Sequence, residues 1–304
     1  MNETTEAIQA VKNEIEEIFA ALNRKTNGMS HIASALFLSL CIFCGIMYHK
    51  VTIFYAMFGV IFIFIAVYII ASNTKKPLRQ SLEILDKPPV TADDFMLRGH
   101  VFLEFYHAQA ASIDFAQAMK LDPDEPANTF LYASSLNLLN RSDEALQILE
   151  SLLMKENPNK AAAYFLKGSI LKKDDPTIAL ECVEKAIELE PDDLNYRLEK
   201  VRLLLEAGKY AEAEKAFTEL TPLVQNEMKR GNEPPEFHEL GGRISVKQNR
   251  YSEALASFNR AVKLDPFIPE YYEHRAEVYE KLAQPSKAES DRAKAEKLYA
   301  EVQQ

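Results

Sequence analysis

The sequence predicts an all-α chain in which a two-helix transmembrane hairpin is followed by an α-solenoid of six helix-pair repeats. Three observations carry this. Six alanines, Ala111, Ala145, Ala179, Ala213, Ala254 and Ala288, stand 34, 34, 34, 41 and 34 residues apart, and a period of about 34 marks a helix-turn-helix repeat. Four residues after each stand Phe115, Leu149, Val183, Phe217, Phe258 and Arg292, which share one helical face with the alanines. Upstream, two runs without formal charge, 32–48 and 51–71, are separated only by His49 and Lys50.

Residues 1–28 open acidic. Ile8, Val11, Ile15, Ile18 and Leu22 recur at steps of three and four, a coiled-coil seam of about two heptads. So short a seam is marginal alone in water. It must therefore form a homodimer through residues 8–22, fold onto another part of the chain, or lie on a bilayer, and its acidity disfavours the last.

Residues 29–72 hold the hairpin, each run being about long enough to cross a bilayer. Arg24, Lys25, Lys75, Lys76 and Arg79 flank it on one side and Lys50 marks its tip. That bias predicts an integral membrane protein with two spans and both termini cytosolic, as in a bacterial inner membrane. Cys41 and Cys44 read as small apolar residues within the first run. Residues 73–90 form a linker with a short amphipathic helix through Leu78, Leu82 and Leu85, stopped by Pro88 and Pro89.

Residues 91–304 hold the repeats. Thr91 is the expected N-cap of the first, and first helices are expected near 92–105, 126–139, 160–172, 194–207, 235–248 and 269–282, each followed by a partner. The 41-residue step adds two helical turns. The second helix of the fourth repeat should then run to Lys229, stop at Gly231 and project, with a longer loop as the alternative. Twelve residues before the alanines, where paired helices approach, stand Gly99, Ala133, Lys167, Val201, Gly242 and Ala276. The last pair carries Arg292 in place of an apolar residue, as the polar end of a stack requires.

The unit Phe95, Gly99, Phe102, Ala111, Phe115, Ala118 and Pro123 resembles a tetratricopeptide repeat, with Phe where Trp or Tyr is commoner. The likeness extends over 91–304. It implies an interaction module whose first helices line a concave groove. Carried over by register, groove positions fall on Met96, His100, Phe130, Phe165, Leu198, Arg202, Glu239, Arg243, Glu270, Glu273 and Glu277. The carboxylate clamp of chaperone-binding relatives is absent, because Met96, His100 and Leu131 occupy its Lys and Asn positions. The groove passes from apolar to acidic, so the expected ligand is a protein or peptide with an apolar segment anchored at Phe130 and Phe165 and a basic segment steered by the glutamates. A partner on the convex side or on the projecting helix is the alternative.

Composition narrows the function classes. The net charge is −10 and is concentrated in residues 91–304, which argues against nucleic acid as a partner. Three cysteines, Cys41, Cys44 and Cys182, suggest neither a disulfide framework nor a zinc cage. No phosphate loop, nucleophile elbow or His-Glu-x-x-His motif occurs, so neither cofactor, metal nor catalytic residue is expected and the chain is not read as an enzyme. The reading is a membrane-anchored adaptor or scaffold that holds a protein partner at the cytosolic face of a lipid bilayer. The alternatives are a structural or assembly subunit of a membrane complex, or an envelope quality-control factor if the topology is inverted.

Overall fold

The computed structural model describes residues 3–21 and 76–302. Among these, fourteen helices follow one another without a strand: α1 (3–21) and α2 (76–86), then α3 (Ala92–Glu104), α4 (Ala108–Leu121), α5 (Pro126–Leu138), α6 (Ser142–Leu153), α7 (Lys160–Leu171), α8 (Pro176–Leu189), α9 (Leu194–Glu206), α10 (Tyr210–Lys229), α11 (Pro235–Lys247), α12 (Tyr251–Leu264), α13 (Pro269–Lys281) and α14 (Pro285–Val302). The architecture is an all-α helical repeat solenoid. Two compact units divide it, Met1–Ala145 and Leu146–Gln304.

Local signals set the helix boundaries. Thr91 caps α3 in a reciprocal box: the Asp94 amide donates to its hydroxyl at 3.2 Å, and its own amide donates to the Asp94 carboxylate at 2.9 Å. Those bonds hold the Asp94 pKa below its ordinary value. Asp175 and Asp193 accept amides at the starts of α8 and α9, while Pro126, Pro176, Pro235 and Pro269 occupy first positions, where no amide is needed. The expected ends of the first helices fall on their C-caps, Phe105, Leu139, Lys172, Ala207, Gln248 and Leu282.

The alanine ladder is the inner seam of every pair. All six alanines are at most 1% exposed. Two glycines permit the closest approaches. A Cβ on Gly99 would stand 2.5 Å from the Phe115 ring, and one on Gly242 would stand 2.6 Å from that of Phe258. The 41-residue step resolves as helix, not loop: α10 runs 20 residues to Lys229, burying Leu220 and Val224, and Gly231 ends it at φ 88°, a conformation that suits glycine.

In the unit Met1–Ala145, α1 packs inward. Val11 and Ile15 are fully buried with Leu85 of α2, Val101 and Phe102 of α3, and Ala111 and Phe115 of α4. An ion pair from Lys12 to Asp86 at 2.7 Å fixes the placement, and Glu14 approaches the His107 ring at 3.5 Å. The seam thus packs on its own chain, one of the three options its pattern allowed, which leaves the expected homodimer through residues 8–22 without support; only Ile18 among its described large apolar residues is exposed.

The membrane localisation is corrected. Among the described residues no helix is long and apolar enough to cross a membrane. The longest, α10, α1 and α14 at 20, 19 and 18 residues, have the length but intersperse Glu and Lys among their apolar positions. The two uncharged runs on which the two-span reading rested lie outside the described residues.

In the unit Leu146–Gln304, each first helix packs on its partner and each partner on the next first helix. Consecutive first helices also touch directly, α9 with α11 and α11 with α13, and around α10 the residues Leu198, Val201, Leu204, Leu220, Val224 and Leu240 share one cluster.

Candidate partner-binding face

Helix α9 touches α11, and α11 touches α13, which brings first-helix side chains of three repeats onto one face. Two carboxylates form its base. Glu199 on α9 is 6% exposed and Glu239 on α11 is 5% exposed. Each has two nitrogen-bearing neighbours, and at least one of them is a cation. Glu199 accepts a hydrogen bond from Arg202 Nη1, and its other oxygen lies 3.6 Å from Lys172 Nζ. Glu239 accepts from Arg243 Nη1 at 3.4 Å and lies 3.3 Å from His274 Nδ1 on α13.

The order of these charges from interior to solvent is the same in both clusters. The glutamates are beneath and the cations outside, with Lys172, Arg202 and Arg243 side chains 38%, 30% and 22% exposed. Burying a carboxylate costs several kcal/mol unless cations and hydrogen bonds offset it, so each glutamate holds its cations close. Tyr271 joins the clusters. Burial, and then the charges of Glu236 and Glu239, raise its hydroxyl pKa, while Arg202 opposes the shift.

The eight expected groove positions in the unit Leu146–Gln304 divide three ways. Arg202 pairs with Glu199, and Glu239 with Arg243, in the two clusters described. Glu270, Glu273 and Glu277 remain exposed along α13, and Glu273 accepts from the Tyr299 hydroxyl at 3.1 Å; burial and that bond push the Tyr299 pKa up to about 12. Phe165 and Leu198 turn inward. Phe165 lies against Tyr196 with centroids 4.8 Å apart, and Leu198 belongs to the α9–α11 cluster.

The remaining three lie in the unit Met1–Ala145. Met96 packs on the cluster that holds α1. His100 is exposed and meets the Phe115 ring edge-on at 5.5 Å, and Phe130 is half-buried.

Glu199, Tyr271 and His274 were not among the expected positions. A readable signal existed: Glu199 and Arg202, and again Glu239 and Arg243, are spaced for contact along one helix, and both arginines stand eleven residues before a ladder alanine.

On the second-helix side a cleft of about 360 Å³ opens among α10, α11 and α12, lined by Phe217, Phe237, His238, Gly241 and Glu253. Phe217 stacks on Phe237 at 4.5 Å. At its rim Glu233 accepts from Arg260 Nε at 2.8 Å and pairs with His238 at 2.7 Å. The Arg260 bonds, chiefly, lower its pKa to about 2.

Residues 170–226 match the family model described as Tetratricopeptide repeat, and residues 242–282 match one described as TPR repeat. Both matches support the tetratricopeptide repeat family. Solved structures agree on the fold. The Cut9-Hcn1 hetero-tetramer of the APC/C aligns at 16% identity with TM-score 0.63, over 79% of this chain and 46% of that one. PilF of Pseudomonas aeruginosa aligns at 24% identity with TM-score 0.52, over 69% and 92%. A thermophilic TPR protein of Thermus thermophilus aligns at 18% identity with TM-score 0.50, over 62% and 98%. The chain therefore spans under half the length of the Cut9-Hcn1 chain it matches. Tetratricopeptide repeats generally mediate protein–protein interaction or scaffolding, and stacked helix pairs present long surfaces suited to it.

Proposed function

We propose that this protein is an adaptor or scaffold that binds a partner polypeptide across the first-helix face of its repeats, with residues 91–304 as the working array. The observation that carries this reading is the ordered set of charged side chains on that face. Arg202 and Arg243 are held in fixed positions by buried glutamates, and Glu270, Glu273 and Glu277 follow on the neighbouring helix. A partner with a basic segment is attracted by the α13 glutamates, and an apolar segment packs against the part of the Phe165 ring that the core leaves uncovered. Such complementary charge steers encounter and sets register more than it adds affinity.

The test is site-specific photocrosslinking of the full chain in its native host, with a photoreactive residue placed singly at Arg243, Glu273 or Phe130 and, for comparison, at Glu188 on the second-helix side. The expected result is one recurrent polypeptide adduct from the first-helix positions. Adducts only from Glu188 would overturn the face assignment. The second reading, a subunit of a fixed complex, is favoured by the cleft among α10 to α12, since a stacked aromatic pair at a surface suits a permanent contact. It predicts adducts from positions lining that cleft and a constant stoichiometry through purification.

A further inference from the structure

Arginines of the repeats are held by carboxylates in two ways. Arg98 and Arg275 each clasp one carboxylate with Nε and Nη2, at 2.7 and 2.8 Å in the first and 2.7 Å twice in the second, and Arg260 clasps Glu233 in the same way. Arg202 and Arg243 differ. Among the described residues each hydrogen-bonds through a single Nη1. A guanidinium has five N–H donors in a planar fork, so both keep most of that fork free while their buried glutamates prevent them from swinging away.

Lys172 is similar, held at 3.6 Å by a Glu199 oxygen that has no hydrogen-bond partner, with its side chain the most exposed of the three. Burying two carboxylates beneath three partly exposed cations is a costly way to stabilise a helix stack, because apolar residues of similar size do as well or better. It is an effective way to hold cations in place for a ligand, since ordering them is then not charged to binding.

We infer that Lys172, Arg202 and Arg243, running from the end of α7 across α9 to α11, form a cationic strip that binds an acidic, Asp- or Glu-rich segment of the partner polypeptide. This inference rests on the scaffold reading and refines it. Planar carboxylates match the free forks of Arg202 and Arg243 in two-bond geometry. The exposed Glu270, Glu273 and Glu277 on α13 repel the same segment, so its acidic stretch ends before α13 and a basic stretch follows. A partner that places acidic before basic charge is thereby distinguished from one with the reverse order.

The experiment is fluorescence anisotropy of the full chain with three labelled probes at 20 to 300 mM salt (about the range over which surface charge is screened): a Glu-rich peptide, a Lys-rich peptide of equal length, and single-stranded oligothymidine. Removing an arginine alone would strand a buried carboxylate. The variants are therefore paired, Glu199→Gln with Arg202→Gln and Glu239→Gln with Arg243→Gln, and unchanged helicity and thermal midpoint verify folding.

The expected result is salt-sensitive binding of the Glu-rich peptide that weakens about tenfold in each paired variant and strengthens in Glu273→Gln with Glu277→Gln. Binding of that peptide unchanged in both paired variants, no binding of it even at low salt, or equal binding of oligothymidine would overturn the strip. Groove photocrosslinks that persist in the paired variants would reject the strip alone, whereas loss of all first-helix crosslinks from the unmodified chain would reject the scaffold reading with it.

Discussion

The first and sixth repeats carry the same four-residue arrangement in different surroundings. In the first, Arg98 clasps Asp114 and lies over Phe95 and Phe102 at 5.6 and 5.8 Å. In the sixth, Arg275 clasps Asp291 and lies over Tyr272 and Tyr279 at 5.4 and 6.0 Å. The positions correspond residue for residue relative to Ala111 and Ala288. The four repeats between them carry no such pair, having Tyr132 with Ile148, Leu166 with Cys182, Lys200 with Ala216 and Gly241 with Ser257. What differs between the two ends is cover. The first repeat has α1 and α2 against it, and Asp114 is 1% exposed; Asp291 is 9% exposed, and tyrosines replace phenylalanines, the Tyr272 hydroxyl donating to the Pro266 carbonyl at 3.0 Å. The comparison separates the cost of burying an ion pair from the geometry of making one.

The largest expected effect comes from breaking the pair where it is better covered. Arg98→Met leaves Asp114 buried without its partner and should cost about 3 to 5 kcal/mol. The same change at Arg275 should cost about half as much, because water reaches Asp291 more easily. Urea unfolding of both variants measures the difference, and equal losses would show that cover is not what distinguishes the two ends. The double variant Arg98→Met with Asp114→Leu removes both charges and should lie within about 1 kcal/mol of the parent.

A second difference between the same two repeats is steric. Gly99 faces the Phe115 ring, whereas the corresponding residue of the sixth repeat is Ala276, with Arg292 in place of the ring. Gly99→Ala would gain about 1 kcal/mol of helix propensity. It would also place a methyl 2.5 Å from aromatic carbon, and overpacking of that kind costs about 1 to 3 kcal/mol. The steric cost should win, giving a net loss of about 1 kcal/mol. Ala276→Gly should lose a similar amount for the opposite reason, added backbone freedom and a lost buried methyl. A stabilised Gly99→Ala would mean that α3 and α4 can separate without penalty.

Much of the fold was legible because its signals are local. The alanine ladder, the caps and prolines, and the seven added residues that carry α10 to Lys229 each depend on spacing within one helix or one turn. The face was legible only in part. Helical register says which way Met96, Leu198 and Glu239 point, but not what covers them, and each meets residues distant in sequence: Met96 the cluster holding α1, Leu198 residues of α10 and α11, Glu239 His274 of α13. The acidic end expected from Glu239 onward therefore begins only at Glu270. The docking of α1 was one of three options for an apolar seam and could not be chosen from the seam alone, since its site is built from α2, α3 and α4.

The smallest expected effects concern pH, and they sharpen the contrast between a covered and a wet pair. Asp114 and Glu233 are each clasped by an arginine, yet burial raises the pKa of Asp114 above 3.8 despite Arg98, while Arg260 lowers that of Glu233 from 4.5 to about 2. The signs follow from proton counting. Between pH 4.5 and 2 the unfolded chain binds a proton at Glu233 before the folded chain does, so its contribution, present above pH 4.5, is lost as pH falls to 2. Asp114 acts oppositely: the folded chain is protonated first, and its contribution is fullest below pH 3.8 and declines as pH rises through the folded pKa. Glu233→Gln should therefore cost about 1 kcal/mol at pH 6, after allowance for solvent screening, and nothing near pH 2. Asp114→Asn should instead remove a contribution that grows toward low pH. Urea midpoints of both variants and the parent from pH 2 to 6 measure this, and acid limbs that change in the same direction would show that the two carboxylates do not differ in the way their cover requires.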